Sequence, residues 1–255
     1  MTRELEAPTF LNRVAGVPNR VAGAWILRAV SAAVLLVPAG WLGEAPGALH
    51  AQEVEVRAVP SAGWFVPTSR LYQSDLPPAR AELQGAGVLG LGLHALQEGL
   101  PVSLRVTAER TVGLETRVTG QNPLIGQPEE AWPTHEYVVP SRITTVTGDL
   151  LVHPGRGELG SSAYVFVGLG WKSYRFGQEE PPDEVGFKFP EDGTSGRVHY
   201  GAGLEVPMAG VRVAGEAGGN FNRFVLVDEE QGLSRSDAQH EFIFSLKVFL
   251  GVFSF

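Results

Sequence analysis

Apolar and polar side chains alternate through the last stretch of the chain, Gln239 to Phe255. Phe242, Phe244, Leu246, Val248, Leu250 and Val252 share one parity, and Glu241, Ser245, Lys247 and Gly251 share the other. A period of two over that length predicts a long strand with one apolar and one polar face. The pattern recurs upstream. Val54 to Val66 sets Val54, Val56 and Ala58 against Glu55 and Arg57, and Ala81 to Leu96 sets Leu83, Leu89, Leu91 and Leu93 against Glu82, Gln84, Gly90, Gly92 and His94. Pro101 to about Val118 alternates Val102, Leu104, Val106, Ala108, Val112 and Leu114 with Ser103, Arg105, Thr107, Glu109 and Thr111, and Arg110 breaks the apolar parity. Tyr137 to His153 carries Thr145, Thr147 and Asp149 on one face and Val146, Leu150 and Val152 on the other. Ser161 to Phe176 sets Val165, Val167, Leu169 and Trp171 against Gly168, Gly170 and Lys172. Gly196 to Val206 sets Val198, Tyr200, Ala202 and Leu204 against Arg197, His199, Gly201, Gly203 and Glu205. Val211 to Val227 sets Val211, Val213, Ala217 and Phe221 against Arg212, Glu216, Asn220 and Asn222.

The connections between these segments alternate in length. Thr68 to Ala79, Thr119 to Glu136, Gly177 to Ser195 and Asp228 to Ala238 are long, whereas Gln97 to Gly99, Pro154 to Gly160 and Pro207 to Gly210 are short. Antiparallel neighbours joined tightly at one end and loosely at the other describe an up-and-down barrel, with the short periplasmic turns and longer external loops of a membrane barrel. The segments also exceed the usual five or six residues of soluble strands. The expected fold is therefore all-β, an eight-stranded antiparallel up-and-down transmembrane β-barrel over residues 52–255.

Parity does not say which face turns inward. A soluble barrel buries its apolar face, and a membrane barrel exposes it to lipid. Two features favour the second arrangement. The polar face is rich in glycine, and it holds charges of both signs: Glu82, Arg105, Glu109, Asp149, Lys172, Glu205, Arg212, Glu216, Glu241 and Lys247. With about eight strands the interior is just wide enough for side chains to fill it, so these charges are expected to form a paired network in a plugged lumen. The alternative is a soluble periplasmic barrel that binds a small hydrophobic ligand, with the apolar parity inward.

Composition narrows the function. There are 32 Gly and 18 Pro, charged residues make up 19%, and Cys is absent, which excludes disulfides and Cys-ligated metals. A formal net charge of -8 disfavours nucleic-acid binding. Arg20 and Arg28 precede an apolar run, Ala29 to Leu42, and small residues up to Ala51 offer a cleavage point. This run is short of the roughly 20 residues that cross a bilayer. Residues 1–51 are thus read as a signal peptide, with a start codon that falls later than Met1 (near Val14, Val17 or Val21) as an open option.

Taken together, the leader, the alternation, the loop asymmetry and the aromatic end at Phe253 and Phe255 resemble the small outer-membrane β-barrel proteins of the OmpX/OmpA-like and OmpW-like group. The resemblance implies a location in the bacterial outer membrane, outer-membrane lipid as a partner, and a barrel-assembly machinery that reads the C-terminal strand through Phe253 and Phe255. These two residues fall on the opposite parity from Leu246 to Val252, which a bulge near Gly251 would reconcile. Trp64, Trp171, Tyr174, Tyr200 and Phe224 lie towards strand ends and suit interfacial girdles.

Catalytic and metal chemistry find little support. The His residues are scattered without zinc spacing, no nucleophile elbow occurs, and the acidic run Glu179 to Glu184 lacks calcium-loop spacing. The expectation is a monomeric, non-enzymatic barrel without cofactor or metal, with a structural, surface-interaction or small-solute role.

Overall fold

The computed structural model describes residues 54–75, 78–97, 100–124, 126–156, 161–177, 190–228 and 233–254. The expected leader, the acidic run and Phe255 lie outside the described residues. Phe224 and Phe253 are described as backbone only.

The alternating segments form eleven strands: β1 Val54–Pro67, β2 Arg70–Asp75, β3 Pro78–Leu83, β4 Ala86–Gln97, β5 Val102–Val112, β6 Leu114–Gln121, β7 Thr134–Arg156, β8 Ser162–Phe176, β9 Gly193–Met208, β10 Val211–Asp228 and β11 Leu233–Ser254. Eight of them close a ring in the order β7-β5-β4-β1-β11-β10-β9-β8, with β8 returning to β7. Every pairing in the ring is antiparallel. The fold is thus an eight-stranded up-and-down barrel, and closure removes the free edges that lipid cannot satisfy. β1 meets β11 at Trp64↔Phe244 and Ala58↔Leu250. Their register slips by one residue at Val252, so that Phe253 stands opposite Val56.

Burial settles the direction of the faces. Leu169 is 71% exposed, Trp171 66% and Leu91 62%, and Leu89, Val165, Val167, Leu204, Phe244 and Leu246 also face outward. Arg105, Thr107, Glu109, Asp149, Lys172, Arg197, Glu216, Glu241 and Lys247 are buried within the ring. The barrel is inside-out: apolar belt outward, charges inward, as in membrane barrels.

At one end the rule reverses. β2, β3, β6 and the first part of β7 form a four-stranded extension of the barrel wall, in the order β2-β3-β6-β7. Here Leu71, Tyr72, Ala79, Ala81, Leu83, Leu114, Val118 and Val139 are buried. Arg70, Arg80, Glu115, Arg117 and Glu136 are exposed. This is the pattern of a water-soluble sheet. The reversal has a local cause. The buried series on β5 ends at Thr111 and resumes on β6 at Leu114, across Gly113, whose φ of +69° an L side chain rarely adopts. On the neighbouring strands the series Ala79, Ala81, Leu83 resumes at Ala86 and Val88, and Gln84 N donates to Glu115 O at 2.8 Å across this break. Both adjacent strands change parity together. The free side of β2 is tied to β11, where Gln239 Nε2 donates to Arg70 O at 2.7 Å and Thr68 N to His240 O at 3.2 Å.

Several expectations are corrected. The segment Ala81 to Leu96 is two strands with opposite faces. Leu83 is buried, and Glu82 points outward in the extension, bridged to Arg70 at 3.2 Å, rather than into the lumen. Val112 and Leu114 lie on opposite faces, and Thr68 to Ala79, read as a linker, contains β2 and the start of β3.

Candidate functional site

The lumen is layered. A lower apolar cluster of Val59, Leu151, Tyr164, Phe166, Ala214 and Phe249 lies on one side of the charges. An upper cluster that includes Phe65, Val88, Ile143, Tyr174 and Ile243 continues into the core of the extension. Rings from both clusters bracket the charges: Arg105 lies over the Phe166 ring at 5.2 Å, and Lys172 over Phe65 at 5.3 Å and Tyr174 at 4.7 Å.

The strand registers place the charges. Arg105 on β5 and Asp149 on β7 are direct cross-strand partners, and Arg105 Nε and Nη2 donate to Asp149 Oδ2 at 3.2 and 3.0 Å. Gly168, opposite Asp149 on β8, leaves the room this carboxylate occupies; a Cβ there would collide with it. Asp149 Oδ1 meets His199 Nδ1 of β9 at 2.8 Å.

The remaining contacts cross the barrel. Arg105 Nη1 donates to Glu216 Oε1 of β10, four strands away around the ring. Tyr164 Oη donates to the same oxygen at 2.6 Å. Lys247 of β11 lies 3.4 Å from both Glu109 of β5 and Glu216. Lys172 of β8 pairs with Glu241 of β11. Buried charge is stable only when paired and hydrogen-bonded, and this network pairs its charges by stitching non-neighbouring strands together; Glu241 Oε2 has no hydrogen-bond partner among the described residues.

Arg197 is the exception. It is 3% exposed, yet none of its guanidinium nitrogens has a hydrogen-bond partner among the described residues. It lines a cavity of about 10 Å³ for the centre of a water-sized sphere, with Glu109, Lys172, Asn220 and Glu241, room for about one water.

The lower mouth holds a second group. Arg57 bridges Glu55 at 2.7 Å and Glu205 at 3.2 Å, and Arg212 pairs with the same Glu205. Beside it runs a hydroxyl–imidazole chain: His94 Nε2 to Ser103 Oγ at 2.7 Å, Ser103 Oγ to His153 Nε2 at 3.1 Å, and His153 Nδ1 to Ser162 Oγ at 2.9 Å.

Of the charges read as lumenal, Arg105, Glu109, Asp149, Lys172, Glu216, Glu241 and Lys247 gather in the central network, Glu205 and Arg212 in the lower mouth, and Glu82 in neither. Arg57, Arg197 and His199 share the polar parity of their strands and could have been added on that signal alone. The Ser–His chain carried no sequence signal, because its members come from β4, β5, β7 and β8.

Among the expected interfacial aromatics, Trp64, Trp171 and Tyr200 face outward. Tyr174 does not: it is 1% exposed on the inward parity, and its hydroxyl accepts from Asn222 Nδ2 at 2.7 Å. Its position near a strand end was right for a girdle, but its parity was that of Lys172.

No protein-family model matches the chain, and no curated protein does. Among solved structures it is similar to Neisserial surface protein A, at 10% identity over 78% of this chain and 97% of that one, with a TM-score of 0.41. It is similar to Ail, the attachment invasion locus protein of Yersinia pestis, solved with the heparin analogue sucrose octasulfate, at 11% identity over 78% and 99%, with a TM-score of 0.36. It is also similar to the outer membrane protease OmpT of Escherichia coli, at 10% identity over 78% and 96%, with a TM-score of 0.36. Identities of this size bring no residue correspondence to the lumen.

Proposed function

We propose that this protein spans the bacterial outer membrane as a closed, non-conducting barrel and holds its four-stranded extension above the bilayer for contact with the surroundings. The observation that carries this reading is the reversal of faces between the belt and the extension. β4 exposes Leu89, Leu91 and Leu93 in the belt, and β3 buries Ala81 and Leu83 in the extension. One surface suits lipid and the other water, and the change falls where β5 passes into β6. A soluble ligand-binding barrel would need the belt residues inward, and their exposure argues against it.

The non-conducting part follows from the lumen. The charge network spans the bore and lies between two apolar clusters. Ser103 is buried within its hydrogen-bond chain, held between His94 Nε2 and His153 Nε2, so we give the chain a structural role and assign no catalysis.

Fractionation of expressing cells, with electrophoresis of the extracted protein before and after boiling, tests the location. Recovery in the outer membrane with a heat-dependent shift in mobility is expected, and recovery in the soluble fraction would refute it. Reconstitution in a planar bilayer tests the plug, and stable unitary currents would overturn it.

A further inference from the structure

Arg110 on β5, Arg142 on β7 and Arg175 on β8 are exposed on three consecutive strands of the ring. Arg142 and Arg175 are direct cross-strand partners, and Arg110 stands opposite Thr144, two residues along β7 from Arg142. On one side of the cluster the outward positions are Ala108, Val146 and Trp171, at the edge of the apolar belt; on the other lie the charges of the extension.

Like charges placed directly opposite in an antiparallel pair repel, so this arrangement calls for anions. Nearby arginines in the extension have them: Arg70 and Arg80 share Glu82, and Arg117 pairs with Glu136 at 3.1 Å. In the cluster, Arg175 meets Asp192 at 2.8 Å. Arg110 and Arg142 have no ion-pair partner among the described residues.

We propose that Arg110, Arg142 and Arg175 form a binding site for the phosphate headgroup of a membrane lipid, whose acyl chains lie along the outward faces of β5, β7 and β8. The proposal rests on the membrane reading above and names the lipid chemistry that the belt edge selects. A guanidinium offers a planar fork of N–H donors that matches phosphate oxygens. At the edge of an apolar layer the effective dielectric is lower than in bulk water, and the attraction is correspondingly stronger. The site favours a lipid over a free anion because the outward positions leading away from it, Val165, Val167 and Leu169 on β8 and Leu150 and Val152 on β7, are exposed and apolar.

The test uses the full folded chain in phosphatidylcholine nanodiscs doped with phosphatidic acid, with lipid retention read by native mass spectrometry. Preferential retention of phosphatidic acid is expected, falling by about a hundredfold in Arg110→Gln/Arg142→Gln, the loss of two charged contacts at about tenfold each. Arg117→Gln, whose arginine already has Glu136, should keep the preference. Equal retention of both lipids by the parent, or a preference that survives the double variant, would overturn the proposal. So would full displacement by millimolar inorganic phosphate, which would make the site one for a free anion. Failure of the membrane reading is separable, because the protein would then not enter nanodiscs at all.

Discussion

Arg105 and Glu216 stand on diametrically opposed strands of the ring, β5 and β10, and their side chains meet across the lumen. Arg105 also holds Asp149, and Glu216 also takes Tyr164 and Lys247. One contact therefore joins the two halves of the barrel wall. Arg105→Met would leave Asp149 and Glu216 buried without their main cation. The expected cost is about 3–5 kcal/mol, read as a lower urea midpoint for unfolding in detergent micelles. Asp149→Asn in the Arg105→Met background should cost less than in the parent, because the two residues act in one network.

Arg197 gives the opposite forecast. It is as buried as Arg105 but has no hydrogen-bonded partner among the described residues. Removing a buried charge that is poorly paired is often neutral or stabilising, so Arg197→Met should shift the same midpoint by much less than Arg105→Met. Equal losses would mean that Arg197 is tied into the network.

The belt makes a prediction about lipid. Leu169→Arg places a charge on the exposed belt of β8, where a membrane barrel is destabilised by about 2–4 kcal/mol at the midplane. Refolding into vesicles should drop accordingly. Arg in place of Val112, next to the extension, should cost clearly less, since the penalty falls towards the interface.

The extension should be sensitive to alkali. Burial pushes the Tyr72 phenol above its ordinary range. A phenol held neutral in the fold contributes stability that is whole below the unfolded-state pKa of about 10 and declines as pH rises past it. Amide protection factors in β2 and β3, with the intrinsic base-catalysed exchange rate divided out, should therefore fall above that pH. Tyr72→Phe should reduce that fall.

Much of this was legible in the alternation. The parity that groups Arg105, Glu109 and Asp149 is the one that faces the lumen, and the long and short connections give the neighbour order of the ring. Two kinds of information were not. A bulge leaves no trace in a period-two count, so the change of face at Gly113 and beside Gly85 was invisible, and Glu82 and Leu83 were assigned to the wrong sides. Partners across the lumen, such as Lys172 with Glu241, depend on closure and strand stagger, which no single strand encodes. Tyr174 shows a third limit: end-of-strand position suggested a girdle, but only the parity shared with Lys172 puts it inside.

The chain has no cysteine, so single cysteines can be placed without background. The most direct test of the account labels Leu91→Cys, Leu169→Cys and Leu246→Cys in the belt and Arg80→Cys and Glu115→Cys in the extension, with protein reconstituted in vesicles. The belt sites should resist a charged maleimide and, once carrying a fluorophore, be quenched by brominated lipid, while the extension sites react readily and are not quenched. Belt cysteines that react as fast as those of the extension, in protein soluble without detergent, would contradict the inside-out barrel.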